Sequence, residues 1–314
     1  MIATLALPIS ASELCQAVRL ARPFNPARLD RVLRLDATRG LVEVQASATW
    51  ASLAAYLRPG APQAITAWSD TATIGDSVAT NSPGPDGRPA VAHVEALALV
   101  TPDGDLRRVT RTQRELFALA VGGQGLFGAA YSVTLRLESL AHAASQSSPA
   151  AILALPRGET RHRMLHVLVP PHASEQFLAE VRALCADWRI AIEGIEVRRT
   201  LPEGETALCW ARREYAAIRL ALAEPPALGG AVRTTQLHRQ LIDSAIAHEG
   251  SFPISCTPEA TRAQVERCYP ELPGFLAEKR RMDPQERLTN AWYRHHRSLL
   301  ARQPCDGRWS RQAA

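Results

Sequence analysis

Apolar and polar residues alternate along the first half of the chain with two periods, one typical of helices and one typical of strands. Ser10 or Ser12 can cap the first helix, and Pro23 and Pro26 stop it. The predicted elements are a helix over 14–21, a hairpin of 33–35 and 41–46, a helix over 50–57, and strands at 94–100, 106–109 and 131–137. The pattern therefore predicts helices packed on a sheet built from hairpins.

The second half of the chain also mixes both periods, which is typical of an α+β fold. Its predicted elements are strands at 165–169, 190–197 and 216–222, helices over 174–187, 234–248, 261–269 and 272–281, and an extended piece at 252–254. Residues 141–149, between the halves, are small and polar, and we place a domain boundary there.

Length and composition narrow the class of protein. The chain has 314 residues, which suits two domains, and its 46% hydrophobic and 21% charged residues favour a globular fold over disorder. No apolar run approaches the roughly 18 residues of a membrane span, and residues 1–10 lack the marks of a secretory signal. The six cysteines form no C-x-x-C pair, so we expect free thiols in a reducing cytoplasm.

The charge pattern argues against nucleic acid as a partner. The net charge is +5, and the arginines are scattered in pairs rather than gathered in runs with aromatic residues between them. Lys279 is the one lysine in the chain. Because guanidinium groups bind phosphate well, a phosphate-bearing ligand remains compatible with this composition.

Two glycine-rich segments, 73–87 and 122–128, do not look like ordinary core. A glycine has no Cβ, so the backbone N–H groups around it can approach an anion or a flat ligand closely. Asn81 and Ser82 add hydrogen-bonding side chains to the first segment. From the residues alone, both a nucleotide site and a set of tight turns remain open.

Five motifs follow one another in a recognisable order. They are VEVQASATW at 42–50, TIGDSVATN at 73–81, the strand and turn at 94–104, ELF at 115–117 followed by GGQGLFG at 122–128, and the closing stretch at 269–284. This order resembles the vanillyl-alcohol-oxidase-type (PCMH-type) FAD-binding oxidoreductases, which include the aldonolactone, alditol and decaprenylphosphoryl-ribose oxidases.

The resemblance implies a two-subdomain FAD-binding domain in residues 1–140 with a shortened first subdomain. It implies an α+β cap domain over the flavin in 141–281 and a tail, 282–314, that returns to the FAD domain. It also implies non-covalent FAD, a small-molecule substrate and an electron acceptor that the sequence does not identify. The implied cofactor-binding residues are Thr73, Ile74, Gly75, Asp76, Ser77, Asn81, Ser82, Gly84, His93, Val94, Gly122, Gly123, Gly125 and Gly128.

The sequence departs from this family at the pyrophosphate site. Relatives carry an early R-G-x-G-x-S loop, whereas here only residues 22–28 separate the first helix from the next strand, and the first glycine of the chain is Gly40. Asp76 and Ser47 stand where relatives have glycine. A carboxylate at position 76 would repel a pyrophosphate unless it is protonated or turned away.

Three residues are candidates for catalysis, since a flavin oxidation needs a group that handles the hydroxyl proton. Tyr215 lies in a segment that resembles a flavin-facing part of the cap, Cys256 stands where relatives place a polar group, and Lys279 belongs to the closing motif. The alternatives are an edge strand for Tyr215, a buried thiol for Cys256 and a surface charge beside Asp283 for Lys279.

Two functions follow as hypotheses. The first is an FAD-dependent oxidoreductase that oxidises a hydroxylated carbon of a sugar, alditol or lactone by hydride transfer to flavin N5. The second is a flavoprotein-derived scaffold that has lost tight FAD binding and serves as an accessory or binding protein. The missing first loop and Asp76 motivate the second hypothesis.

Overall fold

A computed structural model describes residues 5–57, 68, 71–145, 151–152, 162–224 and 229–301 of the chain. The elements are α1 Ala11–Arg19, β1 Val32–Asp36, β2 Leu41–Gln45, α2 Trp50–Tyr56, α3 Ile74–Ala79, β3 Val94–Val100, β4 Leu106–Thr110, α4 Arg114–Ala120, β5 Ala129–Arg136, α5 Leu137–Ser145, β6 Ala151–Ile152, β7 His162–Val169, α6 Ser174–Trp188, β8 Ile192–Thr200, β9 Tyr215–Ala223, α7 Gly230–Ala247, α8 Arg262–Cys268, α9 Leu272–Met282 and α10 Ala291–Ala301. Short 3₁₀ turns cover Ala90–His93 and Pro171–Ala173. The prediction of a mixed α+β fold is confirmed.

The first sheet contains five antiparallel strands in the order β1-β2-β5-β3-β4. The predicted hairpin is its β1–β2 edge, where Leu35 lies opposite Val42. In the middle of the sheet Val44 lies opposite Val133, and both side chains are buried together with Trp50 of α2. The alternation seen in the sequence thus places one face of the sheet against a helix.

The second sheet has the order β6-β8-β9-β7 and is also antiparallel. Helices α6 and α7 cover one face, where Leu220 of β9 shares a core with Phe177 and Leu241. The expectation that Tyr215 lies in an edge strand is wrong, because β9 is bonded on both sides, by β7 and by β8.

Residues 200–210 tie the second sheet to the first half of the chain. The N–H of Leu201 donates to the carbonyl oxygen of Gly87 at 2.7 Å, and that of Ala207 donates to Ala118 at 2.9 Å. Phe127, which precedes β5, packs edge-on against Phe275 of α9 with ring centroids 5.0 Å apart. The predicted boundary at 141–149 lies partly outside the described residues.

The chain returns to the first half after α9. Leu288 is buried against Leu14 and Val18 of α1 and Val100 of β3. The guanidinium of Arg287 donates to the carbonyl oxygen of Pro102 at 2.9 Å, in the turn between β3 and β4. Residues 283–290 therefore form a wall of the first half, although they follow the second half in sequence. The predicted tail beyond residue 301 lies outside the described residues.

Candidate functional site

A cleft of about 630 Å³ lies on the first half of the chain. Four segments line it: residues 21–26 after α1, 73–79 around α3, 124–130 before and within β5, and the returning turn 286–290. Smaller contributions come from α4, from β3 and from residues 46–47, which follow β2. This volume falls within the range of cavities that bind small molecules and cofactors.

Both glycine-rich segments contribute to this one cleft. Thr73, Gly75 and Asp76 line it from the first segment, and Gly125 and Gly128 line it from the second. Two backbone hydrogen bonds of 2.9 Å join the segments directly. The N–H of Gly122 donates to the carbonyl oxygen of Val78, and the N–H of Gln124 donates to that of Ala79. The two motifs thus form a single crevice.

The other implied cofactor residues do not line the cleft. They are Ile74, Ser77, Asn81, Ser82, Gly84, His93, Val94, Gly122 and Gly123. Ser77 is buried and accepts a hydrogen bond from the indole N–H of Trp50 at 2.9 Å. Ile74 and Val94 belong to the core of the first half. Ser77, Ile74 and Val94 are therefore packing residues of the first half.

Asn81 joins the two halves of the molecule. Its side chain is fully buried, its Oδ1 accepts from the N–H of Val91 at 2.9 Å, and its Nδ2 donates to Glu203 at 3.3 Å. Its carbonyl oxygen accepts from the indole N–H of Trp210 at 3.1 Å. Asn81 has a positive φ of 50°, a conformation that Asn tolerates better than most residues. The physical role shown for Asn81 is therefore a junction.

His93 is also part of the interior. Its Nδ1 lies 3.1 Å from the hydroxyl of Ser139, and its Nε2 lies 3.6 Å from Asp86. Burial alone would raise the pKa of Asp86, but His93 and Arg88 bring that pKa below its usual value. The rings of Trp68 and His93 meet edge-on at 5.5 Å. His93 is therefore an interior group beside Asp86 of the first glycine-rich segment, and neither residue lines the cleft.

Close packing of backbone explains two of the glycines. A Cβ on Gly75 would lie 2.7 Å from the carbonyl oxygen of Ala46, and one on Gly123 would collide with the carbonyl oxygen of Leu119. Gly125 differs, because it has a φ of +71° and a Cβ there would meet open space. Its N–H has no hydrogen-bond partner in the described part of the chain. Gly125 is therefore a free backbone donor at the cleft.

The segment predicted as a loop at 73–81 contains a short helix, α3, capped by Thr73. Its first N–H groups are all used within the protein. Ile74 donates to Ala48 at 2.9 Å, Gly75 donates to Ala46 at 2.7 Å, and Asp76 donates to the Thr73 hydroxyl at 3.0 Å. The start of α3 therefore offers few backbone donors to a phosphate.

The segment of residues 22–28 uses several of its backbone donors within the protein. Pro23 and Pro26 have no N–H. The N–H of Asn25 donates to Ala6 at 2.8 Å, and that of Ala27 donates to the Asn25 side chain at 3.0 Å. The N–H groups of Phe24 and Arg28 have no hydrogen-bond partner among the described residues, and Phe24 lines the cleft.

Four charged side chains line the cleft: Arg22, Asp76, Glu286 and Arg287. Glu286 is bound by the Tyr293 hydroxyl at 2.9 Å and by Arg297. Burial acts to raise the pKa of Glu286, but these two partners bring it below its usual value. Arg22, Asp76 and Arg287 form no ion pair with any described residue.

None of the three catalytic candidates lines this cleft. Tyr215 is 4% exposed at the start of β9, and burial raises its pKa, opposed by Arg213. The Sγ of Cys256 lies 3.7 Å from the carbonyl oxygen of Pro253. Lys279 is fully buried and paired with Asp283, so the expectation that it is a surface charge is wrong.

The Lys279–Asp283 pair shapes the turn that lines the cleft. Burial would raise the pKa of Asp283, but Lys279 and the N–H groups of Leu288 and Arg287 hold it below its usual value. Those N–H groups donate to the two carboxylate oxygens at 2.9 and 3.0 Å. Asp283 therefore orients the segment that carries Arg287.

Sequence reasoning did not assign Arg22, Arg287 or Asn290 to the site. The Asn290 side chain donates to the carbonyl oxygen of Gln124 at 2.8 Å and so attaches the returning turn to the second glycine-rich segment. The available signals were the proximity of Arg287 to the closing motif and the position of Arg22 beside the missing loop.

The described residues contain neither a candidate metal-ligand cluster nor a candidate membrane-spanning helix. In that part of the chain, no group of three or more His, Cys, Asp or Glu side chains is arranged to hold a metal ion. The described helices include none with both the length and the apolar character needed to cross a bilayer.

Comparison with known proteins assigns part of the chain to a family. Residues 24–110 match the family model described as "FAD binding domain", whereas no curated protein matches the chain significantly. The matched region includes α3 and β3, which supply part of the cleft lining, whereas residues 124–130 and 286–290 of the lining lie outside it. Residues 24–110 are therefore similar to FAD-binding domains, which usually occur in FAD-linked oxidoreductases.

Proposed function

We propose that the protein is an FAD-linked oxidoreductase that binds FAD non-covalently and oxidises a hydroxylated carbon of a small sugar, alditol or lactone. One observation carries the proposal. The two glycine-rich segments meet in a single cleft of about 630 Å³, and the first of them lies within the FAD-binding match. A cleft of this size lies within the range of cofactor sites.

The cleft lining fits a flavin nucleotide in its shape and chemistry. Leu97, Leu99 and Ala130 supply apolar wall, and the free N–H of Gly125 supplies a hydrogen-bond donor. The described residues of the lining include no His, Cys or Tyr, the nucleophilic side chains that could attach a flavin covalently, which supports non-covalent binding. When bound, FAD supplies the acceptor for the hydride.

Asp76 is the cleft group best suited to handle the proton. Its carboxylate is exposed and has no hydrogen-bond or ion-pair partner among the described residues, whereas Glu286 is occupied by Tyr293 and Arg297. A free carboxylate within a cleft can accept a hydroxyl proton from a bound alcohol. We assign this role to Asp76 as part of the proposal.

The visible spectrum of the purified protein tests the proposal. We expect flavin absorption after purification or after incubation with FAD and gel filtration. Anaerobic addition of polyols and lactones should then bleach those bands with at least one substrate. A colourless protein that takes up no FAD would refute the proposal.

A second function is favoured by a specific observation. Because the first N–H groups of α3 donate within the protein, the cleft resembles a flavoprotein site that has lost part of its phosphate cradle. The protein would then be an accessory or binding scaffold without tight FAD binding. The same spectrum separates the two functions, since the scaffold remains colourless with added FAD.

A further inference from the structure

The backbone of the cleft supplies few donors for a diphosphate. The N–H groups at the start of α3 are used within the protein, and in residues 22–28 Pro23 and Pro26 have no N–H while those of Asn25 and Ala27 are used. Gly125 and Phe24, which both line the cleft, each have an N–H with no hydrogen-bond partner among the described residues. A diphosphate in this cleft would therefore need side-chain donors to replace the hydrogen bonds that it makes with water.

Arg22 is such a donor. It follows α1 and lines the cleft, its side chain is exposed, and it makes no ion pair or side-chain hydrogen bond with a described residue. Arg28, at the other end of the same segment, does not line the cleft. Arg22 thus places an uncompensated positive charge where the family's first loop is missing.

Arg287 is the second donor. It lines the cleft from the returning turn, is half-buried, and has no carboxylate partner among the described residues. One of its five guanidinium N–H groups donates to the carbonyl oxygen of Pro102 at 2.9 Å, and the other four have no hydrogen-bond partner among the described residues. Asp283 holds the backbone of Arg287 by a 3.0 Å hydrogen bond.

The remaining charges of the cleft leave these arginines available. Glu286 is compensated by Arg297, and Asp76 forms no ion pair with either arginine. Two unpaired guanidinium groups and one unpaired carboxylate therefore line the cleft. Guanidinium groups bind phosphate oxygens through paired, charge-assisted hydrogen bonds.

We infer that Arg22 and Arg287 bind the diphosphate of the nucleotide, so that two side chains replace the backbone cradle of the missing loop. The inference rests on the proposed function for the identity of the nucleotide, whereas the assignment of a diphosphate to the two arginines rests on their shared place in the cleft lining. The two residues come from segments 265 positions apart in sequence, so this site exists only in the folded chain.

Binding titrations of the intact protein test the inference with three probes: FAD, riboflavin, which lacks the phosphates, and inorganic pyrophosphate. The variants are Arg22→Gln and Arg287→Gln. Arg28→Gln and Arg280→Gln, which remove exposed arginines outside the cleft, are the matched controls. We expect each cleft variant to weaken FAD and pyrophosphate binding by about tenfold to a hundredfold and to leave riboflavin unchanged.

The outcomes separate this inference from the proposed function. If FAD binds the wild-type protein and both cleft variants equally well, the arginine pair is wrong while the flavin assignment stands. If pyrophosphate binding depends on the two arginines but no flavin binds, the diphosphate site stands and the oxidoreductase proposal fails. If no probe binds the wild-type protein, both are wrong. Should Arg287→Gln fail to fold, the exposed Arg22 carries the test by itself.

Discussion

His238 should make the protein sensitive to acid. This histidine lies on α7 with no exposed surface, and neither ring nitrogen has a hydrogen-bond partner in the described residues. Burial lowers its pKa to about 4 from an ordinary value of 6.5, Glu259 opposes this shift, and Arg163 adds to it. The neutral ring is therefore the form that the folded protein accommodates.

The sign of the pH effect follows from these two pKa values. Between pH 6.5 and about 4 the unfolded chain binds a proton that the folded protein excludes, so stability falls as the pH falls. The contribution of the neutral His238 ring to the stability of the folded protein is fully present above about pH 6.5. The loss amounts to about 2 kcal/mol at pH 5 and about 3 kcal/mol below pH 4.

The substitution His238→Leu removes the titrating ring and keeps an apolar side chain of similar size. Urea unfolding followed by tryptophan fluorescence would give the free energy of unfolding at pH 7.5 and at pH 5. On going from pH 7.5 to pH 5, the free energy of unfolding of the wild type should fall by about 2 kcal/mol more than that of the variant. His172→Leu, at an exposed position, is the control and should gain nothing.

An equal wild-type-to-variant difference at both pH values would refute this reasoning. His166 and His296, whose pKa values burial also lowers to about 4, are present in both proteins and cancel in the comparison. The pH-dependent difference therefore reports on His238.

Three further predictions concern the cleft and its supports. Asp76→Asn should tighten pyrophosphate binding severalfold, because it removes a nearby negative charge, and it should lower substrate turnover. Calorimetry measures the pyrophosphate affinity, and anaerobic flavin bleaching measures the turnover. An unchanged pyrophosphate affinity would contradict the first effect. Asp283→Asn should lower the free energy of unfolding, measured with urea, by about 3–5 kcal/mol, because it leaves the buried ammonium of Lys279 without its partner. Adding Lys279→Met should restore much of that stability. Asn81→Ala should lower the free energy of unfolding by about 1–3 kcal/mol, because it leaves the buried N–H of Val91 without its partner. A loss no larger than that of the surface change Ser52→Ala would contradict the junction role.

Local features of the fold could be predicted from the sequence. The hydroxyl of Ser10 caps α1 by accepting from the N–H of Glu13 at 3.3 Å. The alternating runs at 33–35 and 41–46, on either side of the turn, correctly predict the β1–β2 hairpin. These features depend on residues a few positions apart, so the local pattern contains the needed information. Helix α3 was missed, although Thr73 and Asp76 have the spacing of an N-terminal cap.

The sequence showed that residues 73–87 and 122–128 are rich in glycine. Only the tertiary structure decided whether a ligand or another part of the chain lies against each glycine. A glycine that must admit a ligand and one that must admit a carbonyl oxygen look the same in sequence. Gly75 lies against Ala46 and Gly123 against Leu119, whereas Gly125 faces open space.

The positions of charged side chains were likewise decided by tertiary structure. Lys279 belongs to a polar stretch, yet it is buried because Asp283, one helical turn away, compensates its charge in the core. Arg22 and Arg287 reach the same cleft because the returning turn packs on α1 through Leu288. Such pairings depend on which apolar surfaces, distant in sequence, pack against each other. The packing of the whole chain decides this, and no local pattern contains that information.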